Sequence, residues 1–170
     1  MTKSIDGRIG EAWSGEVPNG SHVNVVLAEC GSPVAAAAVT ALALPAKGHT
    51  PILVCLAAGR PVWPPTIMTN KATVEDDAHA RVTWGGAQLG IGEGVLDAVA
   101  EGLLTPDGET VVLVAVWVDP AASDQKAVRA ANRDAVARAI RKAIDGPAAG
   151  EVDALLRERG TSTNAYYSEG

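Results

Sequence analysis

The run Ser21-His22-Val23-Asn24-Val25-Val26-Leu27 alternates in a way that predicts a strand with two unlike faces. Side chains two residues apart point the same way along a strand. Ser21, Val23, Val25 and Leu27 make a neutral or apolar face, and His22 and Asn24 project together from the other. Arg8 to Ser14 has strand character too. The stretch from Gly15 to Gly20, with its Pro18-Asn19-Gly20 turn, joins the two as a hairpin whose loop exceeds the tightest type. Ser32 is a good N-cap and Pro33 suits the first helical position, so an Ala-rich helix is predicted over Val34 to Leu44, ending near Pro45.

Pro51 to Ala57 is short and almost wholly apolar, which predicts one buried strand. Arg60 to Pro65 carries three prolines and is excluded from a central strand. Ile67 to Val74 returns to an extended pattern, with Lys71 and Thr73 on one face and Ala72 and Val74 on the other. Asp76 to Leu104 is helical in character. A break is expected at Gly85-Gly86, then a helix through Val99 whose glycines are favoured by close packing. Thr110 to Val118 is the clearest strand, ended by Asp119-Pro120. Ser123 to Ile144 is an amphipathic helix. Val128, Ala131, Ala135, Ala139 and Ile140 form one stripe, and Lys126, Arg129, Arg133 and Arg141 form much of the other side. The order β-β-α-β-β-α-β-α predicts one mixed α/β domain over 1–146, with helices packed on a sheet. Residues 147–170 read as a C-terminal tail with a candidate short helix from Val152 to Arg159.

Composition narrows the functional classes. A chain of 170 residues suits one domain, and its 47% hydrophobic content without any Phe predicts an aliphatic core. A net charge of -6 and the lack of a basic stripe weigh against nucleic acid or an anionic membrane as partner. No apolar run is long enough to span a bilayer, and Met1 to Gly15 has no apolar signal segment, so a soluble cytoplasmic protein is expected. Cys30 and Cys55 lie in or beside apolar runs and are expected to be buried, reduced thiols. His22, His49 and His79 show no metal-ligand spacing, so no metal site is expected. Gly85-Gly86-Ala87-Gln88-Leu89-Gly90 is not followed by the Gly-Lys-Ser or Gly-Lys-Thr of a phosphate loop, and no Gly-x-Ser-x-Gly elbow is present. By residue type alone, His22 is more often structural than catalytic. Lys71 is more often a solvated surface lysine, and Gln88 a cap or loop hydrogen-bonder.

A set of ordered motifs goes further. Gly10-Glu11-Ala12, Gly15 and His22 are followed by Gly31-Ser32-Pro33, Gly48-His49-Thr50 and Leu53. Pro61, Pro64, Asn70-Lys71, Thr73, Gly85 and Ala87-Gln88 come next, and Asp97-Ala98-Val99-Ala100-Glu101-Gly102 closes the series. In order and spacing, from roughly Ile9 to Gly146, the chain resembles the formaldehyde-activating enzyme family. That resemblance implies a fold like the second domain of ribosomal protein S5. It implies a hydro-lyase that condenses formaldehyde with tetrahydromethanopterin to methylene-tetrahydromethanopterin and water. It also implies ring-shaped homopentamers with the pterin in a cleft between subunits, and a setting in one-carbon metabolism and formaldehyde detoxification. Tetrahydromethanopterin would be a co-substrate, with no metal required.

The resemblance also assigns residues. It places the family's general acid on His22 and its pterin-contacting positions on Asn24, Leu53, Lys71, Thr73 and Gln88. An imidazole is a natural proton donor near neutral pH for a hydroxyl that must leave as water. The family usually has Asp at the position of Asn24. An amide supplies no charge to favour an imidazolium, so His22 is expected to be a weaker acid catalyst at neutral pH than in typical members. This feature keeps a second implication open: another reduced pterin, amine carrier or aldehyde, or a non-catalytic binding oligomer. Asp119 replaces a histidine common in the family, and Ala131-Asn132-Arg133-Asp134 replaces a Tyr-Asn-Tyr-Glu element.

Overall fold

The computed structural model describes residues 4–161 and 163. Strand β1 (Arg8–Ser14) and strand β2 (Ser21–Glu29) form the hairpin, paired antiparallel with Ser14 opposite Ser21 and Trp13 opposite His22. Helix α1 (Pro33–Ala43) begins where Ser32 accepts the Ala35 N–H at 3.0 Å, which satisfies one of the first-turn donors. Strand β6 (Thr66–Asn70) lies parallel to strand β7 (Thr110–Val118), and β7 lies antiparallel to β2. With the two-residue strand β3 (Ile52–Leu53) at the far edge, the main sheet runs β1-β2-β7-β6-β3. It is a mixed sheet with helices packed on it, the expected α/β class.

The chain departs from the predicted elements at three places. Pro51 to Ala57 is not one strand. After β3, Val54 is buried and donates its N–H to Thr66, and β4 (Cys55–Ala57) turns away to pair with β5 (Arg60–Pro61). The proline therefore sits in a separate two-stranded sheet, where it interrupts no central ladder. The extended run from Ile67 stops at Asn70, because the Asn70 amide donates to the carbonyls of Gly48 and Ala72 and folds the chain back. Thr73 consequently lies in an exposed irregular segment and not on a strand face with Lys71.

The third departure is the expected break at Gly85-Gly86. Helix α2 (Asp77–Arg81) passes through a π-helical turn (Val82–Ala87) into α3 (Gln88–Ala100) without interruption. A Cβ on Gly86 would stand 2.6 Å from the Gln125 carbonyl oxygen, so glycine is what lets the next helix approach. A widened turn keeps the backbone bonded while the chain passes this contact. The cysteines also depart from expectation. Both cysteines are free, but neither is buried: Cys30 falls one residue beyond β2 and is exposed, and Cys55 is half-buried.

Helix α4 (Gln125–Asp145) starts at Asp124, whose carboxylate accepts from the N–H groups of Lys126 and Ala127. Its stripe of Val128, Ala131, Ala135, Ala139 and Ile140 is buried against β1, β2 and α3. The approach to β1 is closest at Gly10, where a Cβ would lie 1.9 Å from the Ala139 carbonyl oxygen. On the outer side Arg129, Arg133 and Arg141 pair with Glu93, Asp97 and Glu101 across the two helices. Val23, Val25, Leu27, Val112, Val114 and Val116 fill the helix-facing side of the sheet. Helix α5 (Glu151–Glu158) follows, with Val152, Leu155 and Leu156 exposed.

Candidate active site

The side of the sheet away from α3 and α4 is where the chemistry gathers. Alternation puts His22 and Asn24 of β2 on it, with Glu11 and Trp13 of β1 and Trp117 of β7. The register places Trp13, His22 and Trp117 side by side. Lys71 extends this row, because its N–H donates to Val116 just past the end of β6. Trp13, His22, Lys71 and Trp117 line one cavity of about 380 Å³. Its two indole rings lie 5.7 Å apart at 33°.

A continuous polar chain crosses the floor of this cavity. Lys71 Nζ donates to Asn24 Oδ1 at 2.8 Å and stands 2.7 Å from His22 Nδ1. His22 Nε2 stands 2.9 Å from Glu11 Oε1. The acceptors fix the protons. An ammonium on Lys71 can only donate, so Nδ1 accepts and the neutral ring carries its proton on Nε2, toward Glu11. The Lys142 ammonium of α4 lies 3.7 Å from the other oxygen of Glu11. Burial pushes the Lys71 ammonium below its ordinary value of 10.5, and the charge of Glu11 opposes the shift.

That shift has a stability consequence. A lysine held below its unfolded value binds fewer protons in the folded state. Stability therefore rises as pH climbs from the lowered value toward 10.5 and is lost as pH falls back through it. In Lys71→Met this alkaline rise is expected to disappear. Urea unfolding at a series of pH values from 7 to 10.5 measures it, and an unchanged pH slope would count against the burial of this charge.

Of the six residues singled out from the sequence, the hydrogen bonds join His22, Asn24 and Lys71. Asn24 touches the lysine, so its influence on the ring passes through Lys71. Leu53 is 41% exposed on β3, on the same side of the sheet but in the row of Leu113, four residues along β7 from Trp117. Thr73 lies beside Gly48, and Gln88 spends both ends of its amide on the backbone, accepting from Cys55 N–H and donating to the Trp84 carbonyl. Glu11, Trp13 and Trp117 were not singled out as site residues. The signal for Glu11 and Trp13 was present in the alternation of β1, once Ser14 is set opposite Ser21.

Among the described residues, no group of three or more His, Cys, Asp or Glu is arranged to hold a metal ion. Among them, too, no helix is long and apolar enough to cross a membrane.

Comparison with known proteins gives a consistent result. The formaldehyde-activating enzyme family profile matches residues 9–167. A 5,6,7,8-tetrahydromethanopterin hydro-lyase from Methanosarcina barkeri is 33% identical over 140 residues, which cover 81% of this chain and 79% of that protein. A bifunctional enzyme Fae/Hps from Methanococcoides burtonii is 31% identical over 159 residues, and one from Archaeoglobus fulgidus is 33% identical over 161. These alignments cover 92% and 94% of this chain but 40% of each bifunctional protein, so the chain spans about two-fifths of their length.

Proposed function

We infer that this chain, which belongs to the formaldehyde-activating enzyme family and is a hydro-lyase of that type, condenses formaldehyde with tetrahydromethanopterin to methylene-tetrahydromethanopterin and water, with His22 as general acid. The observation that carries this reading is the contact of His22 and Lys71 on the floor of a cavity flanked by Trp13 and Trp117. Flat indole walls suit a planar heterocycle, and Lys71 offers a donor to an acceptor on its edge. Tetrahydromethanopterin supplies the two nitrogens between which the formaldehyde carbon is held. The protein's part is to hold the reactants together and to deliver a proton to the departing hydroxyl.

Lys71 and His22 divide that work. The lysine is already 2.7 Å from Nδ1, so a proton can pass from the ammonium to the ring along an existing hydrogen bond. Burial of Lys71 lowers the cost of that transfer. The imidazolium then gives the proton to the hydroxyl, which leaves as water. Holding both reactants in one cavity adds a proximity contribution.

Leu53, Thr73 and Gln88 complete the proposed pterin-binding set with Asn24 and Lys71. Their separation from the His22 row fits a cleft closed by a second subunit. We accordingly propose a homo-oligomer, pentameric by family resemblance, acting in the cytoplasm in formaldehyde detoxification. Asn24, and the engagement of both ends of the Gln88 amide, favour a second reading in which the carrier is another reduced pterin or amine.

The test is the rate of methylene-tetrahydromethanopterin formation with and without the protein, with the spontaneous condensation subtracted. Acceleration is expected. If the rate does not rise with tetrahydromethanopterin but does with another reduced pterin, the second reading takes its place. If no pterin or amine carrier gives turnover, the chemistry proposed for His22 fails.

A further inference from the structure

We propose that Glu11 is a positioning residue for the proton transfer, acting on His22 from the neighbouring strand. The proposal rests on the reading of His22 as the acid. Two contacts carry it. Glu11 Oε1 lies 2.9 Å from His22 Nε2, and Lys71 Nζ lies 2.7 Å from His22 Nδ1. Each ring nitrogen therefore has one partner, and the partners have opposite charge.

This polarity determines which nitrogen does the work. Glu11 is acceptor-only when ionised, so it keeps a proton on Nε2. Nδ1 remains as the nitrogen that takes a proton from Lys71, and the leaving hydroxyl receives that proton by taking the place of the neutral lysine amine at Nδ1. While the ring carries both protons, the carboxylate offsets its positive charge. The same logic operates wherever a carboxylate orients a catalytic imidazole: it fixes the tautomer and stabilises the imidazolium without itself being protonated. Proton count is conserved throughout. Lys71 ends as an amine, the ring returns to neutral, and the hydroxyl departs as water.

Glu11 also answers the question raised by Asn24. The usual carboxylate of the family is missing at position 24, yet the ring has a carboxylate from β1. The Asn24 amide instead accepts from Lys71, where it adds no negative charge to hold the proton on the lysine. The charged groups that reach this cluster are Glu11 from β1, Lys71 beyond β6, and Lys142 from α4 on the second oxygen of Glu11. Lys142 holds the carboxylate from behind and does not contact the ring in these hydrogen bonds. The two indoles beside the ring are uncharged.

The experiment compares Glu11→Gln and Glu11→Asp with the unaltered protein by two readouts. The first is the ¹⁵N signal of the two His22 ring nitrogens in ligand-free protein, assigned by their loss in His22→Ala. The second is kcat, KM and the pH profile of condensation. In Glu11→Gln the Nε2 signal is expected to shift as its carboxylate partner is lost, while Lys71 keeps the proton off Nδ1. Its kcat is expected to fall about tenfold, the lower end for a neighbouring charge at a half-exposed site, with KM for the pterin unchanged. The alkaline limb of the rate profile should move to lower pH, and Glu11→Asp should recover part of it. Unchanged ring signals with an unmoved profile in Glu11→Gln would overturn the proposal. If the unaltered protein gives no turnover, the functional reading fails by itself. The ring signals then decide separately whether Glu11 holds His22.

Discussion

The catalysed rate of condensation is expected to fall about 10²- to 10⁴-fold in His22→Ala, the range a positioned general acid contributes. The loss should appear chiefly in kcat, because the indole walls and Lys71 remain to bind the pterin. The fold should survive. The His22 side chain is 31% exposed and faces away from the aliphatic core between sheet and helices. Its polar neighbours Glu11 and Lys71 open toward solvent, so neither becomes a fully buried unpaired charge. The measurement is the rate above the spontaneous background, with circular dichroism melting on the same sample. Equal rates in the two proteins would remove His22 from the mechanism. A lost rate with a lost melting transition would show a folding role instead.

In Gly10→Ala the expected loss is of stability. The added methyl would sit 1.9 Å from the Ala139 carbonyl oxygen and 2.9 Å from the Ala143 nitrogen. Both are backbone atoms of α4, and neither can swing aside as a side chain would. Either the helix lifts from β1 or the strand bends, and both open the packing of Ala139 and Ala143. Overpacking of this kind costs about 3 kcal/mol or more. For a chain of this size that corresponds to a fall in Tm of about 6–12 °C. Thermal unfolding decides it, and a Tm within about 1 °C of the parent would mean that α4 does not approach β1 this closely. The same variant bears on the site, because β1 carries Glu11 in the position next to Gly10.

Much of the fold was legible because local chemistry and tertiary packing agree. Thr110 to Val118 is one strand in both readings, and β1, β2, α1 and α4 fall within a residue or two of their predicted limits. In each, the apolar period, the caps and the turn residues point the same way. The failures come from contacts distant in sequence. Nothing within Pro51 to Ala57 announces that Val54 bonds to Thr66 and turns the chain into a second sheet. Nothing near Gly85-Gly86 reveals that Gln125 fills the space beside them. For the site, strand alternation was enough to pair His22 with Asn24. It could not show that a lysine 49 residues away touches the ring. Glu11 was hidden for a different reason. Its position is plain once the hairpin register is known, but a six-residue loop does not fix that register from sequence.

That loop constrains the protein in a way no single side chain does. Gly15 to Gly20 ends at Ser14 opposite Ser21, and the Asn19 side chain accepts from the N–H groups of Ser123 and Asp124 at the entrance to α4. Both its ends and its middle are therefore tied down. A residue gained or lost here would have to be absorbed against those ties or passed into the strand. One step of slippage in β2 would turn His22 and Asn24 into the aliphatic core and bring Val23 out beside Lys71. Change in this first hairpin is thus governed by length as much as by identity: outside Gly15, Asn19 and Gly20, point substitutions in the loop are tolerable where insertions and deletions are not, although no atom of the loop lines the cavity it aligns.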